Sequence, residues 1–190
     1  MLVFVQVFFA IFGVMDPVGN VPLFITLTHS LDKEKRNRLA KTAVLYAFGI
    51  LTAFMFAGSA LLDVFQVSMG SFRIAGGIVL FTLGFQILFG IDFEKKKEEI
   101  SGEKDISVVP LATPLIAGPG TITSVIILGK EYGYSLTLFG IITNLVLSYI
   151  LFRFSHLVVR VLGTKGVLLF ANIMGLILMA IGIEFIKKSL

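Results

Sequence analysis

Long apolar runs alternate with short polar interruptions along this chain, and the interruptions leave six stretches long enough to cross a bilayer. The first runs roughly from Leu2 to Thr28, the second from Thr42 to Leu62 and the third from Ser71 to Ile91. The fourth runs from Ile106 to Leu128, the fifth from Tyr134 to Val158 and the sixth from Gly166 to Ile186. Apolar runs of about 18 residues or more read as helices in lipid, because no water is present there to satisfy backbone groups left open. Between the runs lie a charged loop over His29 to Lys41, a turn over Asp63 to Gly70 and a hydrophilic connector over Asp92 to Asp105. A turn over Lys130 to Gly133 and a basic corner around Arg160 and Lys165 complete the set. The pattern predicts an all-α integral membrane protein of six transmembrane helices. The first run has no basic region before it and no small-residue cleavage site after it, so it reads as a retained span and not as a removable signal.

Two of the six runs are interrupted. All five prolines stand at 17, 22, 110, 114 and 119, inside or beside two stretches, Met15 to Pro22 and Ala112 to Gly120. Proline removes a backbone donor and clashes with the preceding turn, so helices 1 and 4 are expected to be broken near the midplane. Pro17 and Pro114 are 97 residues apart, and so are Pro22 and Pro119. Gly77 and Gly84 in the third run recur as Gly175 and Gly182 in the sixth at an offset of 98. A half with three spans, an odd number, is re-entered from the opposite side by its copy. The expected architecture is two inverted three-helix repeats, residues 1–91 and 106–190, joined by a hydrophilic linker over 92–105 and forming one membrane domain.

Composition agrees with lipid as the solvent: 56% of residues are hydrophobic and 15% charged, and the mean hydropathy is +0.96. The net charge of +4 would suggest nucleic acid in a water-soluble protein. Here twelve of the sixteen Lys and Arg fall on the connectors after runs one, three and five, and four fall on the other side. That asymmetry is what the positive-inside rule produces, so no nucleic-acid partner is expected, the twelve face the cytoplasm, and both termini lie outside a plasma or inner membrane. With no cysteine, thiolate chemistry and disulfides are excluded.

Candidate chemistry concentrates at the two breaks. Asp16-Pro17 and Thr113-Pro114 each place an N-cap residue before a proline at a first helical position, a start signal in the middle of a span. The free N–H groups of such a half-helix favour an anion, and carbonyls left by the preceding half-helix favour a cation. Gly19, Gly118 and Gly120 remove side chains, so a ligand can approach the backbone. An α-amino acid carries both charges close together and fits such a pair of ends. Asp16 is the acid placed deep in the bilayer, suited to a substrate ammonium or a coupling proton, or to capping its own half-helix. The expected substrate-binding set is Asp16, Pro17, Gly19, Asn20, Thr113, Ala117, Gly118, Gly120 and Thr121, with Thr26 and Thr123 as further candidates that can instead bond back to their own helix. Asn144 and Asn172 read as amides that satisfy neighbouring spans, with reaching the site as the alternative, His29 and His156 as interfacial residues, and Arg73 as a side chain snorkelling to the interface, with sealing the outer vestibule as its alternative. No catalytic residues, cofactor or metal site is expected.

Asp16-Pro17-Val18-Gly19-Asn20-Val21-Pro22-Leu23-Phe24, with Thr113-Pro114-Leu115-Ile116-Ala117-Gly118-Pro119-Gly120, resembles the signature pair of the MarC/SnatA family of six-span membrane proteins. Arg73-Ile74-Ala75-Gly76-Gly77 and Met174-Gly175-Leu176 are similar to the family's third and sixth spans, so the likeness covers nearly the whole chain. The resemblance implies a place in the lysine-exporter superfamily and transport of small neutral amino acids such as alanine and glycine, with the site at broken helices 1 and 4. It also leads one to expect a basic residue where Asn172 stands and a glutamine where Glu184 stands. The expected function is a secondary transporter, an exporter or exchanger working by alternating access. The alternative is an ion or metal-ion export pathway or channel, which would call for several midplane carboxylates. An enzyme would call for His, Cys or paired acids in one layer. The coupling ion, proton or sodium, and a homo-oligomeric state are left open by the sequence.

Overall fold

The computed structural model describes residues 2–28, 31–90 and 116–190. Within them all regular structure is helical, in seven helices: α1 Leu2–Met15, α2 Asn20–Thr28, α3 Lys33–Val64, α4 Met69–Phe89, α5 Pro119–Tyr132, α6 Tyr134–Arg153 and α7 Ser155–Lys187. Among the described residues four segments are long and apolar enough to cross a membrane: α3, α4, α6 and the Lys165–Lys187 part of α7. They are the expected spans two, three, five and six. α1 and α5 have 14 residues each, about 21 Å of helix, short of the roughly 30 Å hydrocarbon core. The run expected as span one is divided into α1 and α2, and α5 falls in the second part of the run expected as span four. The first part of span four, with Pro110, Thr113 and Pro114, lies outside the described residues, as do the linker over 92–105, His29 and the side chain of Thr26.

Helix ends differ from the sequence reading where polarity and helicity part company. The segment expected as a loop up to Lys41 is helical from Lys33, because Asp32 caps it, its Oδ1 accepting from the Lys35 N–H at 2.8 Å. Charged residues mark where the membrane ends, and a capped helix continues past that point into water. Span five stops at Arg153 and not at Val158. The basic corner beyond it is helical too, as the first turns of α7, and the backbone departs from helix at Gly163, with φ 66° and ψ 163°.

α5 lies at the centre. From Thr121 to Gly129 every residue except Ile122 is buried, the pattern of a helix covered on all sides. One buried cluster joins α1, α2, α3, α5 and α6 around Ile11, Met15, Phe24, Leu51, Ile116 and Phe152. A second joins α4, α5 and α7 around Leu80, Ile127, Leu178 and Phe185. Phe24 of α2 stacks on Phe152 of α6 with ring centroids 4.7 Å apart. The outward faces carry large apolar side chains such as Phe9, Phe56, Ile78, Phe139 and Leu168, the surface expected of helices whose solvent is lipid.

α4 and α7 meet along a seam of glycines. A Cβ at Gly77 would stand 2.5 Å from the Gly182 carbonyl oxygen, and one at Gly182 would stand 2.5 Å from that of Gly77. A Cβ at Gly84 would collide with the Gly175 carbonyl oxygen, and one at Gly175 would lie 2.9 Å from the Gly84 carbonyl oxygen. The two helices run antiparallel, and only residues without side chains let their backbones approach so closely.

At one end of the molecule Arg73 does not simply snorkel. Its guanidinium donates to Glu131 Oε2 at 3.1 Å, and Lys188 donates to Glu131 Oε1 at 2.9 Å. Glu131 lies beyond Leu128, past the apolar run of α5. Partial burial works against its charge, but the Lys188 ammonium and the Arg73 guanidinium hold its carboxyl below its usual range. The same contact raises the Lys188 ammonium above its usual range.

Candidate functional site

The first break begins where α1 can no longer continue. The Asp16 N–H still donates to the Phe12 carbonyl at 2.9 Å, but the Asp16 backbone then turns left-handed, with φ 38°. Few non-glycine residues adopt that conformation, and aspartate is among those that do. Pro17, buried, brings no donor of its own. Asp16 Oδ1 accepts from the Gly19 N–H at 3.0 Å, and the Asn20 N–H donates to the Asp16 carbonyl at 3.1 Å. Asn20 reaches back as well, its Nδ2 donating to the Met15 carbonyl at 2.8 Å. The capping role of Asp16 is thus present in the structure. Gly19 is required here, since a Cβ would fall on the Asp16 carboxylate. Asp16 is 7% exposed and is the one buried acid among the described residues. None of the ion pairs among those residues includes it.

The second break opens differently. Ile116, Ala117 and Gly118 are buried. Gly118 is the extended N-cap of α5, with no side-chain hydrogen bond, and proline follows at the first position. The first acceptor bond of the helix is Ile122 N–H to the Gly118 carbonyl at 2.9 Å. The N–H groups of Gly120 and Thr121 precede it, at the end of the helix where donors have no carbonyl within the helix to meet. Gly120 and Thr121 are both buried. Thr123 bonds back to the Pro119 carbonyl at 2.8 Å, so its hydroxyl is spent within α5.

The two breaks are neighbours. A Cβ at Gly120 would stand 3.3 Å from Val14, two residues before Asp16, and 2.7 Å and 3.3 Å from Leu80 and Leu83 of α4. Met15, Ile116 and Ala117 share one buried cluster. The carbonyl end of α1 therefore lies beside the N–H end of α5, a negative and a positive helix terminus within the buried interior. Of the expected set, Asp16, Pro17, Gly19 and Asn20 form the first break and Ala117, Gly118, Gly120 and Thr121 the second.

α6 backs this region with side chains that sequence reasoning ranked low or passed over. Asn144, fully buried, donates to the Phe8 carbonyl at 3.2 Å and to the Gly140 carbonyl at 2.9 Å, the neighbour-satisfying role expected of it. Its Oδ1 is buried and has no hydrogen-bond partner among the described residues, and the same holds for Ser124 Oγ on α5. Ser148, one turn on, bonds to the Asn144 carbonyl at 2.8 Å and contacts Met15 Sδ at 3.4 Å. The i, i+4 spacing of Asn144 and Ser148 was the available signal. Asn172 is half-buried on α7. Among the described residues no group of three or more His, Asp or Glu is placed to hold a metal ion.

Comparison with known proteins agrees with this arrangement of apolar helices. A family described as "MarC family integral membrane protein" matches residues 1–190. The chain is similar to the UPF0056 membrane protein YhcE of Escherichia coli, 40% identical over 99% of this chain and 92% of that protein. It is likewise similar to the UPF0056 membrane protein MJ1677 of Methanocaldococcus jannaschii, 36% identical over 98% of this chain and 95% of the relative. To YvbG of Bacillus subtilis it is 32% identical, over 98% and 93%. No solved structure matches. The chain belongs to the MarC family of integral membrane proteins.

Proposed function

We propose that this protein is a secondary transporter that exports or exchanges small neutral amino acids such as alanine and glycine by alternating access. The observation that carries the reading is the meeting of two opposed helix ends at Val14 and Gly120. The start of α5, whose N-cap is a glycine without a side chain, offers the Gly120 and Thr121 N–H groups to a substrate carboxylate. The Asp16 carboxylate and the last carbonyls of α1 offer negative charge to its ammonium. Leu80, Leu83 and Val14 crowd the space beside Gly120, which favours a substrate whose side chain is a hydrogen or a methyl. Thr113 belongs to the proposed set by its place beside Pro114.

The reading includes two inverted halves, residues 1–91 and 106–190. Its support is the glycine seam: a shift of 98 converts Gly77 and Gly84 into Gly175 and Gly182. Gly77 against Gly182 then becomes Gly175 against Gly84, which is the other contact in the seam. Contacts that exchange in this way are what a two-fold axis in the membrane plane produces. Charge asymmetry supports both termini outside, in the plasma or inner membrane.

The test is counterflow in proteoliposomes. With unlabelled alanine inside, labelled alanine or glycine is expected to accumulate transiently, and Asp16→Asn is expected to reduce the initial rate by about tenfold or more. Imposed proton and sodium gradients identify the coupling ion. Movement of divalent cations with no amino-acid counterflow would replace this reading with an ion pathway.

A further inference from the structure

Opposite in character to the Glu131 cluster is the corner where the charged start of α3 meets the first turns of α7. Arg36 Nη1 of α3 is hydrogen-bonded to His156 Nε2 of α7, across 120 positions of sequence. A guanidinium only donates, so Nε2 accepts and the ring proton sits on Nδ1, left to serve another acceptor. Arg36 Nε is buried and has no hydrogen-bond partner among the described residues. Arg160 follows His156 by one turn and is exposed. The ion pairs among the described residues join Lys35 to Asp32, Arg73 and Lys188 to Glu131, and Lys187 to Glu184. Neither Arg36 nor Arg160 takes part.

Beside these cations the surface changes to apolar. A cleft of about 490 Å³ is lined by His156, Leu157 and Arg160. Leu157 and Val161, 55% and 74% exposed, stand on the same short stretch of helix that ends at Gly163. Two arginines, a ring N–H and an adjoining apolar wall at the end of a membrane span form a paired requirement: an anion with oxygen acceptors, attached to hydrocarbon. The arginine fork matches phosphate oxygens in geometry as well as charge.

We propose that this cleft seats the phosphate of an anionic phospholipid, held by Arg160 and the Nδ1–H of His156 with Arg36 behind the ring, and that an acyl chain lies along Leu157 and Val161. The site is separate from the two helix breaks, and it stands whether or not the transporter reading does. It makes the lipid a structural ligand that ties the start of α3 to the start of α7.

The full-length protein, purified in neutral detergent, is melted with added phosphatidylglycerol, phosphatidylcholine or inorganic phosphate. Phosphatidylglycerol is expected to raise the midpoint by about 3 °C or more over phosphatidylcholine, as a ligand bound only by the folded state does. Arg160→Gln is expected to remove at least half of that shift, and Lys130→Gln, the same charge change at an exposed position beside the Glu131 cluster, to leave it in place. Equal shifts with both lipids overturn the proposal. So does an equal loss in the two variants, which would mean bulk charge, and so does a full effect of inorganic phosphate, which would mean an anion site without a lipid. If Arg160→Gln does not fold, native mass spectrometry of the wild type decides: retained phosphatidylglycerol in preference to phosphatidylcholine supports the seat, and no preference overturns it.

Discussion

Asp16 does two jobs that substitution can separate. Its backbone takes a left-handed turn at φ 38°, and its Oδ1 caps the Gly19 N–H. Asparagine tolerates the same backbone and keeps a capping oxygen, so Asp16→Asn should leave thermal stability within about 0.5 kcal/mol of wild type while removing the charge. Asp16→Ala loses the cap and strains the backbone as well, and should cost roughly 2 kcal/mol. Transport lost in both variants, with stability lost only in the second, assigns the carboxylate to substrate or coupling ion. Equal transport in wild type and Asp16→Asn would leave the cap as its whole role. Gly19→Ala is expected to behave like Asp16→Ala, because the added methyl falls on the carboxylate. Melting curves alongside counterflow measure all three.

Among the elements, the seam between α4 and α7 depends on backbone contact. Gly77→Ala or Gly182→Ala places a methyl carbon 2.5 Å from a carbonyl oxygen of the opposite helix. Neither backbone can move aside without shifting its helix, so each should destabilise by about 1–3 kcal/mol. Among the described residues nothing lies within 4 Å of a Cβ at Gly49 of α3, and Gly49→Ala should gain about 0.5–1 kcal/mol from helix propensity. Denaturation in mixed micelles compares them directly; a tolerated Gly77→Ala would mean the seam is loose. These glycines were legible in the sequence as a spacing, and the spans and the first break were legible as apolar runs and misplaced prolines. Periodicity could not say that α3 would start at Lys33, because a cap at Asp32 and not hydropathy sets that end. Nor could it give the tie from Asn144 to the Phe8 carbonyl, or that from Arg36 to His156. Each joins residues more than a hundred positions apart, and nothing local in either partner records the other.

For the molecule as a whole, the two ends are held in unlike ways. One end is tied by ions: Glu131 at the end of the central helix binds Arg73 at the start of α4 and Lys188 just beyond α7. Helices α4, α5 and α7 are thereby fixed to one another outside the apolar layer. Because the Glu131 carboxyl is held below its usual value of 4.5, its contribution is present above that pH and is lost as acidity passes through the lowered value. The Lys188 ammonium, raised above its usual 10.5, contributes below that pH and loses its contribution as alkalinity passes through the raised value. Between those limits the cluster should be insensitive to pH. Glu131→Gln should cost about 1 kcal/mol across that plateau, a small figure because the cluster is still in contact with water. The difference between wild type and variant should shrink below pH 4.5, where the wild-type carboxyl takes up its proton and resembles the amide. Melting midpoints of both proteins from pH 3.5 to 8 supply the comparison. A difference that persists unchanged into acid would mean that Glu131 acts through packing, and that the joint between α4, α5 and α7 rests on the Gly77–Gly182 seam and the Leu80 cluster alone.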